Sequence, residues 1–123
     1  MQICYFNIEN RYRIPILEKG GHYLKSKLER RMFLGFIYIH ILHHALEAPI
    51  YGSWMIEELR EHGYDMSAGT LYPILHRMEE EGLLETEKVT VKGHQRIHYS
   101  CTDFGAQMLK ESKRKLAELL NEI

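Results

Sequence analysis

The sequence has few cysteines and no long apolar run. Its 123 residues include only Cys4 and Cys101, which offer no disulfide framework and are typical of a reducing compartment. No apolar stretch reaches the roughly 18 residues of a transmembrane helix, because histidines interrupt the longest candidate, 32–46. The first residues also lack the basic-then-apolar order of a signal peptide. These absences predict one folded domain in the cytoplasm, with no membrane partner.

Charge of neither sign dominates the chain, although it is unevenly distributed. The formal net charge is −1, which by itself does not indicate a nucleic-acid partner. Residues 1–31 hold seven Lys or Arg against three Glu, whereas the remaining residues hold nine basic against fourteen acidic side chains. A basic segment of this kind can approach phosphate groups, and it can equally be a solvated tail. Both interpretations stay open.

Residues 1–24 differ in character from the rest of the chain. They mix aromatic and charged side chains, contain Pro15 and the pair Gly20-Gly21, and have no clean apolar period. We interpret them as an N-terminal extension of unknown role.

From residue 25 onward, the apolar spacing predicts helices. Ser26 and Glu29 form a capping-box pattern, and apolar residues then recur every three or four positions until Pro49. This first helix has a wide apolar surface, which favours burial on more than one side. A second helix follows Gly52 and ends at Gly63, a residue type suited to the position after a helix.

A third helix is predicted between Ser67, as its N-cap, and Gly82. The turn that precedes it is short, so the second and third helices should cross steeply, as in a helix-turn-helix. In such motifs the second helix enters the major groove of DNA. In this chain the corresponding helix is the third one, and its exposed face is predicted to contain Ala68, Gly69, Thr70, Tyr72, Pro73, His76 and Arg77.

After the third helix the apolar period changes from about 3.6 to 2. Two alternating stretches flank residues 92–95, which predicts a β-hairpin, and Thr102 can cap a last amphipathic helix. The order ααα-ββ-α predicts a mainly α fold with a small β-hairpin (α+β). We expect a winged helix-turn-helix domain over 25–101 and a C-terminal dimerisation helix over 102–123.

Specific motifs within this pattern resemble a known family. The stretch YGSWMIEELREHGYDMSAGTLYPILHRMEEEGLLE and the later KGHQRIHYSCTDFG are similar to the PadR family of transcriptional regulators, in its shorter subgroup with one C-terminal helix. The resemblance covers about residues 29–123. It implies a homodimer that binds a palindromic operator in double-stranded DNA, often as a repressor released by a small hydrophobic or phenolic effector.

The resemblance also implies roles for individual residues. Its DNA-facing positions fall on Tyr51, Ser67, Thr70, Tyr72 and Pro73, with the wing tip from Lys92 to Arg96. The first and last helices would form the dimer interface, for which the apolar candidates are Phe33, Phe36, Ile37, Phe104, Met108, Leu116, Leu119 and Leu120. Some members of this subgroup line an effector cavity with an aromatic residue on the last helix, where this chain has Phe104 but no tryptophan. Trp54, on the second helix, is the other effector-binding candidate, and it is also expected to point into the core of its own domain.

Two other functions stay open, and one is excluded. A winged helix can serve as a protein-interaction module. His40, His43 and His44 lie at i, i+3 and i+4, so one helix face could present imidazoles to a metal in a metal-responsive regulator, although partly buried polar histidines are the commoner case. We predict neither a metal nor a cofactor. No nucleophile has a base at motif spacing, which predicts that the protein is not an enzyme.

Overall fold

The computed structural model describes residues 3–6, 13–16 and 26–123. Within the predicted N-terminal extension, β1 (Ile3–Phe6) pairs antiparallel with β2 (Arg13–Ile16), and Ile3 lies opposite Ile16. The absence of a clean apolar period therefore did not exclude strands. The rest of the extension lies outside the described residues.

Three helices follow, with ends close to those predicted. They are α1 (Lys27–Glu47), α2 (Gly52–Glu61) and α3 (Ala68–Glu80). The hydroxyl of Ser26 accepts a hydrogen bond from the backbone N–H of Glu29 at 3.1 Å, which satisfies a donor that the first turn leaves unpaired.

The wing is longer than the alternation predicted, because β3 (Leu84–Val91) begins four residues before the first alternating position. It pairs with β4 (His94–Cys101) around a two-residue turn. Both turn residues have positive φ, 50° at Lys92 and 79° at Gly93, as a type I′ hairpin turn requires. The early part of β3 has no alternating apolar pattern because most of its side chains face solvent.

A short backbone bridge ties the wing to the helix-turn-helix. Ile50, between α1 and α2, exchanges hydrogen bonds with Tyr99 of β4, with N···O distances of 2.9 and 2.7 Å. This bridge places the beginning of α2 beside the base of the wing.

The last helix, α4 (Asp103–Glu122), is capped by Thr102 as predicted, since its hydroxyl accepts from the N–H of Gly105 at 2.9 Å. Only Gly105 and Leu109 of this helix are buried. A Cβ at position 105 would collide with the backbone oxygen of Leu83, so glycine is needed where α4 meets the start of β3.

The core draws on all three helices of the domain, the wing and α4. Its largest fully buried side chains are Ile41, Met55, Leu59, Leu71, Leu75, Met78, Leu84 and Leu109. The arrangement confirms the predicted mainly α fold with a β-hairpin wing. Among the described residues, no helix combines the length and the apolar character needed to cross a membrane.

Candidate nucleic-acid interface

The outward face of α3 is built from small and aromatic residues at its amino end. Ala68, Gly69, Tyr72 and Pro73 are exposed, and the first turn contains no acidic residue. The opposite face carries the stripe that packs into the core, so the burial of α3 fixes which side chains it presents to a partner.

Thr70 is a correction to the predicted face, because its side chain is buried, with a relative exposure of 5%. It lies four residues before Ile74, on the edge of the buried stripe, and the stripe is wider than the apolar residues alone indicated. Its hydroxyl lies 3.4 Å from that of Ser67. Ser67 itself is exposed and has the backbone of an N-cap, but its side chain makes no capping hydrogen bond.

The ring of Tyr72 rests on the first residue of α2. A Cβ built on Gly52 would overlap the outer end of that ring, and Gly52 is buried beneath it. Tyr72 is nevertheless 43% exposed. The Tyr51-Gly52 pair and the tyrosine of the GTLYP element are therefore adjacent in space as well as prominent in the sequence.

Tyr51 connects this contact to the wing. The carbon at the centre of the Arg96 guanidinium lies 4.3 Å from the centroid of the Tyr51 ring, within the range of a cation–π interaction. The ring of His98 stacks on Tyr51 with centroids 5.8 Å apart. The backbone bridge between Ile50 and Tyr99 produces this neighbourhood, because it sets Tyr51 beside the outer side of β4.

His98 also belongs to this site, although it was not among the predicted DNA-facing residues. Its Nε2 is buried and has no hydrogen-bond partner among the residues that the structure describes. The sequence could have predicted its position, because alternation along a strand places residues 96 and 98 on the same side of β4.

The structure brings some of the predicted DNA-facing residues together and leaves others apart. Tyr72, Tyr51 and Arg96 form one continuous surface across Gly52, and we call it the α3–wing surface. Lys92 is exposed at the tip of the wing. His76 and Arg77 lie further along α3, with the carboxylate of Glu79 at 3.9 Å from His76 and that of Glu80 at 4.0 Å from Arg77.

The residues predicted to form the dimer interface are not equally accessible. Ile37 is a correction to this set, because it is 5% exposed and packs in the core of its own chain. Phe33 and Phe36 are half-buried, and the ring of Phe33 meets that of Tyr64 edge-on at 5.3 Å. On α4, Leu116 is half-buried and the exposed candidates are Phe104, Met108, Leu119 and Leu120.

Trp54 was expected in the core, and this prediction was wrong. The inward stripe of α2 is formed by Met55 and Leu59, and Trp54 lies beside it, 39% exposed. Its ring meets that of His44 edge-on, with centroids 5.4 Å apart.

The family model of the transcriptional regulator PadR-like family matches residues 41–111. The chain belongs to this family. The matched segment runs from the second half of α1 to the first half of α4, so it contains the whole α3–wing surface.

Individual PadR relatives agree in sequence and in fold. The transcriptional regulator Rv3488 of Mycobacterium tuberculosis is 47% identical over 85 residues, which are 69% of this chain and 79% of that protein. The crystal structure of a PadR family regulator from Eggerthella lenta matches 79% of this chain and 86% of its own, at 30% identity and a TM-score of 0.67. A PadR-like regulator from Bacillus cereus matches 75% and 91%, at 30% identity and a TM-score of 0.68.

These findings establish a regulator of transcription. PadR regulators bind DNA and are generally dimeric, and the names of the relatives describe regulators rather than enzymes. The resemblance in the sequence is thereby confirmed at the level of the family.

Proposed function

We propose that the protein is a homodimeric repressor without catalytic activity, which binds a palindromic operator through the α3–wing surface in the cytoplasm. The proposal is supported by two contacts at the start of α2. Tyr51 contacts Arg96 of the wing, and Gly52 contacts Tyr72 of α3. Through these contacts the recognition helix and the wing act as one body, so a duplex held by α3 also meets the cation at Arg96.

Small residues at the amino end of α3 support the proposal independently. Gly69 is exposed, and a Cβ there would meet only the Ser67 hydroxyl, at 3.7 Å. Neither packing nor a positive φ requires glycine at this position. Glycine also destabilises a helix by about 1 kcal/mol relative to alanine, so its presence needs another reason. Close approach of a partner's backbone explains the choice, because the first N–H groups of a helix attract phosphate.

The dimer is proposed from the apolar surface that the single chain leaves uncovered. Leu119 and Leu120 on α4 are 53% and 70% exposed, and Leu28 and Met32 on α1 are exposed as well. Pairing of α1 and α4 between two copies would cover them. It would also hold two copies of α3 about 34 Å apart, the length of one DNA turn.

Release by a small hydrophobic or phenolic effector is the regulatory part of the proposal. Trp54 and Phe104 are large exposed aromatic side chains on α2 and α4, and they offer apolar contacts to such a molecule. An effector that binds better to a dimer with a different spacing of the two α3 helices would lower operator affinity, by no more than its differential affinity for the two states.

Fluorescence anisotropy tests the proposal with labelled DNA from upstream of the protein's own gene, against unrelated competitor DNA. We expect binding that resists the competitor and weakens steeply with salt, since each phosphate contact contributes a slope of about −0.9. Arg96→Ala should weaken binding and make the salt slope shallower by about 1.

Arg60→Ala is the matched control. The Arg60 guanidinium lies on α2 and already pairs with Glu57 at 2.6 Å and Asp65 at 3.6 Å, so its removal should leave the salt slope unchanged. If no DNA fragment binds better than competitor and salt has no effect, the surface would face a protein, and the winged helix would be an interaction module.

A further inference from the structure

Three imidazoles from two helices meet on the side of the domain where α1 crosses α2. His40 and His44 are one turn apart on α1, and His62 follows the last residue of α2. One ring nitrogen from each of the three lies within 4.8 Å of the others. The rings of His40 and His62 are in contact, with centroids 4.6 Å apart.

This group differs from the one that the sequence suggested. His43 was placed with His40 and His44 because of its helical spacing, but it is exposed and its Nε2 lies 3.0 Å from Glu47. His62 takes its place beside His40, which no spacing along α1 could have indicated. A second possible group, His43, His44 and Glu47, comes from a single helix and is largely exposed.

A carboxylate stands beside the three imidazoles. Oε1 of Glu58 lies 3.2 Å from Nε2 of His44 and 3.5 Å from Nε2 of His62. Zn–N bonds of 2.0–2.1 Å in a tetrahedral site place ligand atoms about 3.3 Å apart, and the two distances from Glu58, to His44 and to His62, are close to that value. The three imidazole nitrogens, within 4.8 Å of one another, would draw closer around an ion. His62, the C-cap of α2, comes one turn after Glu58, just as His44 comes one turn after His40 on α1.

Burial, followed by the neighbouring His62, His44 and His43, lowers the pKa of His40, while Glu58 opposes this effect.

We propose that His40, His44 and His62, with the carboxylate of Glu58, form a binding site for Zn²⁺ or a similar divalent transition metal. Imidazole is the ligand that this class of ions prefers, and the carboxylate offsets part of the ion's charge. The ion would link α1 to α2. The exposed residues of α1 belong to the proposed dimer surface, and the other end of α2 carries Gly52, which lies under Tyr72. The site does not depend on the proposed DNA function.

The test titrates the full-length chain, stripped with EDTA and dialysed, with Zn²⁺ in a calorimeter and with Co²⁺ followed by visible absorption. We expect one ion per chain and the absorption of tetrahedral cobalt, which zinc then displaces. His62→Ala should weaken zinc binding at least about tenfold, and Glu58→Gln, which keeps the shape of the side chain, should weaken it by a similar factor. Zinc should raise the melting temperature of the wild-type chain and not that of His62→Ala.

His43→Ala is the control, because it removes an imidazole on the same helix that is not one of the proposed ligands, although its ring packs edge-on against that of His44 with centroids 4.9 Å apart. It should keep wild-type zinc affinity. The proposal is overturned if the wild-type chain binds no zinc, or if His43→Ala and His62→Ala weaken binding equally, as scattered surface sites would. Operator binding measured in EDTA with the same preparations separates this result from the proposed DNA function.

Discussion

The two ends of α3 lie on one helix but present different chemistry. At the amino end, Gly69 and Tyr72 are exposed and no carboxylate is present in the first turn. At the carboxyl end, Glu79 accepts a hydrogen bond from the Thr86 hydroxyl of β3 at 2.7 Å, and Glu81 accepts one from the Tyr38 hydroxyl of α1 at 3.3 Å.

The difference shows how one helix serves two purposes. Its acidic end is tied to neighbouring elements, where negative charge does not oppose a polyanion. Its amino end carries the positive pole of the helix dipole and has no carboxylate in its first turn. A negatively charged ligand is therefore favoured at one end of α3 and disfavoured at the other.

Among these substitutions, one that introduces a carboxylate at the amino end of α3 should have the largest effect on operator affinity. We expect Gly69→Asp to weaken operator binding about 100-fold, or about 3 kcal/mol, because like charges then face each other across the interface. The free energy of unfolding should instead rise by about 0.5–1 kcal/mol, since an acid in the first turn suits the helix dipole. Anisotropy and urea unfolding measure the two effects.

Gly69→Asn separates charge from size in that experiment. It adds a side chain of the same shape without the charge, so it should weaken DNA binding much less than Gly69→Asp does. Equal losses for both variants would mean that α3 excludes bulk at this position rather than negative charge.

A smaller effect is expected where α3 rests on α2. Gly52→Ala places a methyl group against the Tyr72 ring and displaces it. We expect a loss of about 1 kcal/mol in stability and about tenfold in operator affinity. In a Tyr72→Ala background the same substitution should cost no stability, because the two effects couple through one contact. Additive losses in the double variant would contradict the contact.

The smallest effect on operator affinity is expected from a substitution beside the acidic, carboxyl end of α3. Thr86→Val removes the hydrogen bond to Glu79 and should lower the free energy of unfolding by at most about 1 kcal/mol. Thr90→Val, on the same side of β3, corrects for the higher strand propensity of valine. Operator affinity should not change, and a clear loss with Thr86→Val alone would bring the carboxyl end of α3 into the DNA interface.

Local patterns predicted most of the architecture. The N-terminal ends of α1 and α4 were predicted from Ser26 and Thr102, because the hydroxyl of each residue caps the helix that follows it. The change of apolar period and Gly93 predicted the position of the wing turn, but the turn comprises only residues 92 and 93, since β4 begins at His94. These features depend on residues within a few positions of each other, so the chain need not be folded for them to be recognised.

Errors in the site came from the edges of the buried stripes. Thr70, Trp54 and Ile37 each lie where a helix face changes from buried to exposed, and helical spacing alone does not locate that boundary. It depends on how steeply the neighbouring helix crosses, which is set by side chains distant in the sequence.

The sequence by itself determined the order of the elements from α1 onward, the starts of α1 and α4, and the family, because these are properties of local spacing, caps and motifs. Tertiary structure alone decided that Arg96 and His98 meet Tyr51, and that His62 joins His40 and His44. Such neighbours are produced by the hairpin register, by the bridge between Ile50 and Tyr99 and by the crossing of α1 and α2. Each of these joins residues that are far apart along the chain, where no short-range pattern can act.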